Sequence, residues 1–168
     1  MFSQANHVAV PVVLSFVFTL LAAGCVPVQP VGVDASPVIE TMVQYDPEIG
    51  ELPEGIAVDS TGNIYISLAP LGEIRRIAPD GTESLFATLD PEAGFGLLGL
   101  AVDSADNVYA AIGSNNSEIN GVHRITPSGE STRLAGSEEI ALPNAIAFDS
   151  NGDVYITATI MGAIWRFP

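Results

Sequence analysis

Glu54, Leu98 and Asn144 occupy one position in near-copies of a single phrase: LPEGIAVDSTGNIYIS, LLGLAVDSADNVYAA and LPNAIAFDSNGDVYIT. Their surroundings repeat and they do not. Glu54 brings a carboxylate and Asn144 an amide carbonyl, both hard oxygen donors suited to calcium or magnesium rather than to a soft metal. Leu98 brings no donor. Spacing alone leaves a plainer alternative open, that Glu54 and Asn144 only satisfy backbone groups of their own loops. Other chemistry is scarce. The imidazoles are His7 and His123 and the one thiol is Cys25, so a zinc site of His and Cys, or a Ser-His-Asp triad, would rest on His123 alone. No Walker loop, G-x-S-x-G elbow, H-E-x-x-H or helix-opening G-x-G-x-x-G occurs.

Carboxylates that do repeat invite a different explanation. Asp59, Asp103 and Asp149 recur at intervals of 44 and 46 residues, and Tyr65, Tyr109 and Tyr155 keep the same intervals. Each aspartate stands between two short apolar runs, directly before STGN, SADN or SNGD. There it can accept hydrogen bonds from the N–H groups of the turn that follows. A residue that every repeat needs in the same place is assigned to turn structure, not to catalysis. Arg76, Arg124 and Arg166, also recurrent, are read the same way.

A period near 45 residues is the frame that must position these groups. Each period opens with a short apolar strand (GIAVD, GLAVD, AIAFD), turns, and continues as an alternating, half-buried strand (NIYISLA, NVYAAIG, DVYITAT). A third strand, EIRRIAP or GVHRITP, runs into Pro-Asp-Gly or Pro-Ser-Gly, a turn signal. A fourth follows in TESLFATL or ESTRLA, and the similar VIETMVQY precedes the first unit. Four antiparallel strands per period describe a β-propeller blade; a leucine-rich solenoid would repeat every ~20–29 residues. The expected fold is all-β, with propeller repeats at about 52–97, 98–142 and 143–168, the last one incomplete. In such a ring the first strand of each blade lines the central channel, so Glu54, Leu98 and Asn144 would converge on one mouth.

The totals narrow the partners. Lysine is absent, and five arginines face twenty acids for a net charge of −15. Such a surface repels nucleic-acid phosphates and anionic lipid, so no nucleic-acid partner is expected. Residues 8–24, VAVPVVLSFVFTLLAAG, form an uncharged apolar run of export-signal length that ends at Cys25. The small residues Ala22, Ala23 and Gly24 before Cys25 resemble the lipobox of bacterial lipoproteins, in which the cysteine carries a diacylglycerol. An ordinary cleaved signal and an uncleaved anchor are the alternatives. All three imply export, to the cell envelope or to the periplasm or exterior, with membrane attachment only through the signal or lipid. Residues 26–37, rich in Pro and Gly, read as a tether.

From about residue 38 onward, LPEGIAVDSTGNIYIS, LPNAIAFDSNGDVYIT and IMGAIWRF resemble the regucalcin (senescence marker protein)/gluconolactonase family, and more loosely NHL repeats. The resemblance implies a six-bladed propeller with an axial divalent cation, calcium ahead of magnesium or zinc, and hydrolysis of lactones or related esters. It assigns Glu54 and Asn144 as metal ligands. Ala145 stands where the family's motif has glycine, and Leu98 offers none of the polar substrate contacts expected from the second blade. The family's aspartate ligand and base would come from a later blade, beyond Pro168, so no catalytic residue is assigned.

These repeats amount to half of a six-bladed ring, a half-propeller or fragment. A closed ring normally needs at least about four blades, and an open one leaves a sheet bare at each flank. Either the sequence is a piece of a longer chain, or two copies meet as a homodimer, VIETMVQY of one completing the unfinished third blade of the other. Two functions follow. One is an exported, divalent-metal-dependent hydrolase of a small lactone or ester. The other is a non-catalytic NHL-like module that binds a protein or glycan at the cell envelope.

Overall fold

Short alternating runs broken by turn sequences become eleven strands among the described residues, 39–89 and 94–168, of a computed structural model. The apolar leader, Cys25 and the tether lie outside the described residues. The first sheet is β1 (Pro53–Val58), β2 (Ile64–Leu68), β3 (Glu73–Ile77) and β4 (Glu83–Thr88). The second is β5 (Gly94–Val102), β6 (Val108–Ser114), β7 (Gly121–Ile125) and β8 (Ser131–Arg133). The third is β9 (Pro143–Phe148), β10 (Val154–Ala158) and β11 (Ala163–Phe167). Each is antiparallel with its strands in sequence order, as in the blade expected from the repeats. Along the chain the inner strands stack in series, β5 lying against both β1 and β9.

Two expectations at the outer edges change. The fourth strand of the second unit is reduced to Ser131–Arg133. Residues 41–45, expected to resemble a fourth strand, form no strand. They lie over the face of the first sheet, where Thr41, Met42, Val43 and Tyr45 line a groove with Ile56, Ile64 and Ile66. A segment laid across a sheet face meets side chains, not the unpaired N–H and C=O groups of an edge, so it gains no ladder.

The turn aspartates explain the corner after each first strand. Asp59 accepts from the backbone N–H groups of Thr61 and Asn63, each at 2.9 Å, and from Asn63 Nδ2 at 2.7 Å. Asp103 repeats this with Ala105 and Asn107, and Asp149 with the backbone of Asn151 and Asp153. Burial alone would raise the Asp59 carboxyl, but the hydrogen bonds from Asn63 and Thr61 hold it well below the usual carboxylate range. Blade 3 differs at one point: Asp153 replaces the donor amide of Asn63 and Asn107, and it pairs with the Arg166 guanidinium instead.

The core lies between sheets. Tyr65 and Ile74 of the first blade pack with Leu97, Leu100, Val108, Ala110 and Ile125 of the second. Val122 and Ile140 pack in turn with Val154, Ile156 and Ala158 of the third. At the inner strands this packing brings backbones into contact. A Cβ built on Gly55 would stand 2.4 Å from the Leu98 carbonyl oxygen, and one on Gly99 would stand 2.1 Å from that of Asn144. Only glycine leaves that room.

Two outcomes follow. Gly99→Ala should lower unfolding free energy by about 1–3 kcal/mol in urea titration, because the backbone carbonyl it meets cannot swing away. Asp59→Ala should cost about 1–2 kcal/mol at neutral pH through loss of the turn bonds. The native Asp59 carboxyl is held below its unfolded value, so its stabilisation is complete above the usual carboxylate range and lost as pH falls through the native value. The gap between the two proteins should therefore narrow in acid, and an unchanged gap would contradict this role.

Candidate functional site

Each variable residue sits in an irregularity of its strand. The register between β1 and β2 shifts between Pro53 and Ile56, around Glu54. That between β5 and β6 shifts between Leu97 and Leu100, around Leu98, and β9 shifts against β10 between Pro143 and Ile146, around Asn144. A bulge breaks the in-and-out alternation and re-aims the side chain that it carries. The sequence marks this position by its variability; the bulges give it a geometric cause.

Hydrogen bonds fix the first of these bulges. Ser67 Oγ accepts from Gly55 N at 2.7 Å and donates to the Leu98 carbonyl at 2.7 Å, so one buried hydroxyl ties two blades together. In blade 2 the equivalent residue is Ala111, which has no donor, and the Gly99–Asn144 approach is made by shape alone. In blade 3 the equivalent is Thr157, whose Oγ1 accepts from Ala145 N at 2.9 Å.

The three positions are thus set in series at successive inner strands. Glu54 is exposed, Asn144 is half-buried, and Leu98 is buried. Glu54 lines the groove on the open face of blade 1, with Pro53, Ile56, Ile64 and Ile66, and Asn144 is not among that groove's walls. Among the described residues no cluster of three or more His, Cys, Asp or Glu could hold a metal. The donors are of the right kind for a hard cation, yet two protein oxygens are fewer than the six to eight that calcium takes, roughly.

His123 does not build a triad. Its Nε2–H can donate to the Ile119 carbonyl at 2.9 Å, which leaves Nδ1 to accept from Ser131 Oγ at 3.4 Å, and among the described residues no carboxylate orients the ring. Burial chiefly pushes its pKa down, with Arg133 adding to the effect, and both favour the neutral ring.

A second concavity went unnoticed in the sequence. A cavity of about 370 Å³ opens between blades 2 and 3, lined by Phe95, Ser114, Asn115, Ser117, Glu139 and Leu142, among others. Leu142 adopts φ 56°, a strained value for a leucine, and a Cβ on Gly113 would meet its side chain at 2.6 Å. The signal was available in NNSEIN, the polar loop after β6, but it lies away from the inner-strand position.

No family model matches the sequence, and no curated protein is significantly similar to it. Solved structures are similar. An inactive variant of virginiamycin B lyase from Staphylococcus aureus, with quinupristin, aligns at TM-score 0.55 and 22% identity, over 71% of this chain and 42% of that one. A gluconolactonase from Xanthomonas campestris aligns at TM-score 0.55 and 17% identity, over 69% and 43%. Regucalcin from Agrobacterium tumefaciens, described as a calcium-binding protein, aligns at 0.52 and 16% identity, over 69% and 45%. The chain spans less than half the length of each of these structures. The fold is that of part of a β-propeller, of the kind found in gluconolactonase and regucalcin structures.

Proposed function

We propose that this chain is an exported, regucalcin/gluconolactonase-like propeller that binds a divalent cation, calcium ahead of magnesium or zinc, and serves hydrolysis of a lactone or ester. The observation that carries the reading is that Glu54 and Asn144 stand at matching bulges of the inner strands of blades 1 and 3. Glu54 would give a carboxylate oxygen and Asn144 its amide oxygen. Leu98, buried between them in the series, would form an apolar wall that limits water. When bound, such a cation supplies Lewis acidity toward a substrate carbonyl. No residue of this chain is assigned as general base.

A second reading has its own support. The cavity beside Phe95, Asn115 and Glu139 offers an exposed aromatic edge, an amide and a carboxylate at a mouth without an assigned base. That combination suits a non-catalytic module holding a glycan or a protein loop.

Calcium titration by calorimetry separates the two. The metal reading expects binding heat that falls at least about tenfold in affinity in Glu54→Gln and again in Asn144→Ala. Heat that is absent, or untouched by both changes, would leave the binding-module reading. Export through Cys25 has a separate check. Labelled palmitate should enter the chain when it is expressed in a bacterium and fail to enter Cys25→Ser, whereas equal labelling of both would remove the lipoprotein assignment.

A further inference from the structure

The polar groups that line the cavity between blades 2 and 3 are not used up in holding it together. Both sides belong to blades that pack on each other through Val122, Val154 and Ile156. On the blade 2 side the loop after β6 is fastened twice. Asn120, 8% exposed, accepts from Ser114 N at 3.2 Å and donates to the carbonyls of Glu138 and Ile140, each at 3.0 Å. Arg133 donates to the Ser117 carbonyl at 2.6 Å and lies 3.7 Å from the Glu138 carboxylate. These bonds tie the loop to the turn Ser137–Glu139. Three wall residues stay uncommitted: among the described residues, the side chains of Asn115, Ser117 and Glu139 have no hydrogen-bond or ion-pair partner.

The apolar lining is equally fixed. Phe95 is 62% exposed, yet its backbone cannot move aside. It lies in a bulge between Gly94 and Gly96, and a Cβ on either glycine would collide with a backbone carbonyl, of Gly113 and of Ala69 respectively. The fold holds this ring at the cavity instead of burying it. Ala141, Leu142 and Ile160 complete the apolar part.

We propose that this cavity binds a neutral saccharide, an inference that rests on the second reading above and commits it to one ligand. A pyranose has a face of C–H groups and an edge of hydroxyls. The face suits the Phe95 ring and Leu142, which gain by leaving water. The edge suits Glu139, whose oxygens accept, and Asn115 and Ser117, which both donate and accept. A carboxylate that accepts from two neighbouring hydroxyls is the strongest polar contact on offer, since charge-assisted hydrogen bonds are roughly twice as strong as neutral ones. The volume of about 370 Å³ falls within the roughly 300–1,000 Å³ of small-molecule sites. Charge then decides among sugars. No wall residue is cationic, Glu138 and Glu139 are acidic, and the chain carries a net charge of −15. A uronate or phosphorylated sugar is repelled and a neutral one is not. Glu54 and Asn144 are not among the walls, so binding here needs no cation.

Saturation-transfer NMR in EDTA tests this with glucose, galactose, mannose, N-acetylglucosamine, maltose and cellobiose, and with glucuronate and galacturonate as acidic counterparts. At least one neutral sugar should receive saturation and shift the amide signals of residues 113–120. Phe95→Ala and Glu139→Gln should each weaken its binding at least about tenfold with unchanged far-ultraviolet dichroism, and Phe95→Tyr should retain it. The uronates should bind at least about tenfold more weakly than the neutral sugars. No transfer to any neutral sugar, transfer that survives both Phe95→Ala and Glu139→Gln, or uronates bound as well as neutral sugars overturns the proposal. Calcium heat is read separately. Heat together with sugar binding removes the non-catalytic reading and keeps the sugar site, whereas neither heat nor sugar binding removes the sugar site alone and leaves the cavity to a protein loop.

Discussion

The close approach of successive inner strands governs the rest of this structure. A backbone carbonyl from one blade enters the space that a side chain would fill on its neighbour, at Gly55 and again at Gly99. The contact has no slack, because both partners are main chain. It fixes where the next strand begins, how its bulge faces, and which side chains of the two sheets meet further out. Tyr65 and Ile74 can be fully covered only because β5 is held this near to β1. The hydroxyl of Ser67, buried and used as both acceptor and donor, adds direction to a contact that is otherwise steric.

This constraint divides the residues of each repeat into two kinds. Those that hold the spacing cannot vary without loss: the bulge glycine where a neighbouring blade packs on it, as at Gly55 and Gly99, the aspartate at the corner, the tyrosine whose hydroxyl reaches that aspartate in blades 1 and 3. The residue at the head of the bulge is released from those duties. Its side chain leaves the ladder alternation, so Glu54, Leu98 and Asn144 can differ in charge, polarity and size while the backbone beneath them stays alike. Different chemistry at this one position of each repeat follows from a frame that is the same in each repeat.

Much of this was legible because it is local. The corner aspartates and the strand order are written in a few adjacent residues, and the turn signals sit between runs of clear alternation. The position of Glu54 and Asn144 was legible too, through repetition rather than through any motif of its own. What the sequence did not disclose depends on partners distant in the chain. Bulges preserve the apolar pattern on either side and change only the register. The end of β6 and the polar loop after it, residues 113–120, become the wall of a cavity only when Leu142, in its strained conformation, closes over Gly113. Residues 41–45 have the composition of a strand but lie on a face that offers no ladder.

Blade 3 shows how small substitutions alter the edge of such a frame. Asp153 takes the place of Asn63 and Asn107, so the corner loses an amide donor and gains a second carboxylate near Asp149. Two carboxylates at one turn would repel, and Arg166, drawn to Asp153, offsets the charge; in the other blades the amide makes this unnecessary. Ala145 likewise fills the space that glycine keeps open elsewhere, and Thr157 retains the hydroxyl that blade 2 has lost at Ala111. The flank therefore keeps the bonding groups of an internal junction but not its closest fit.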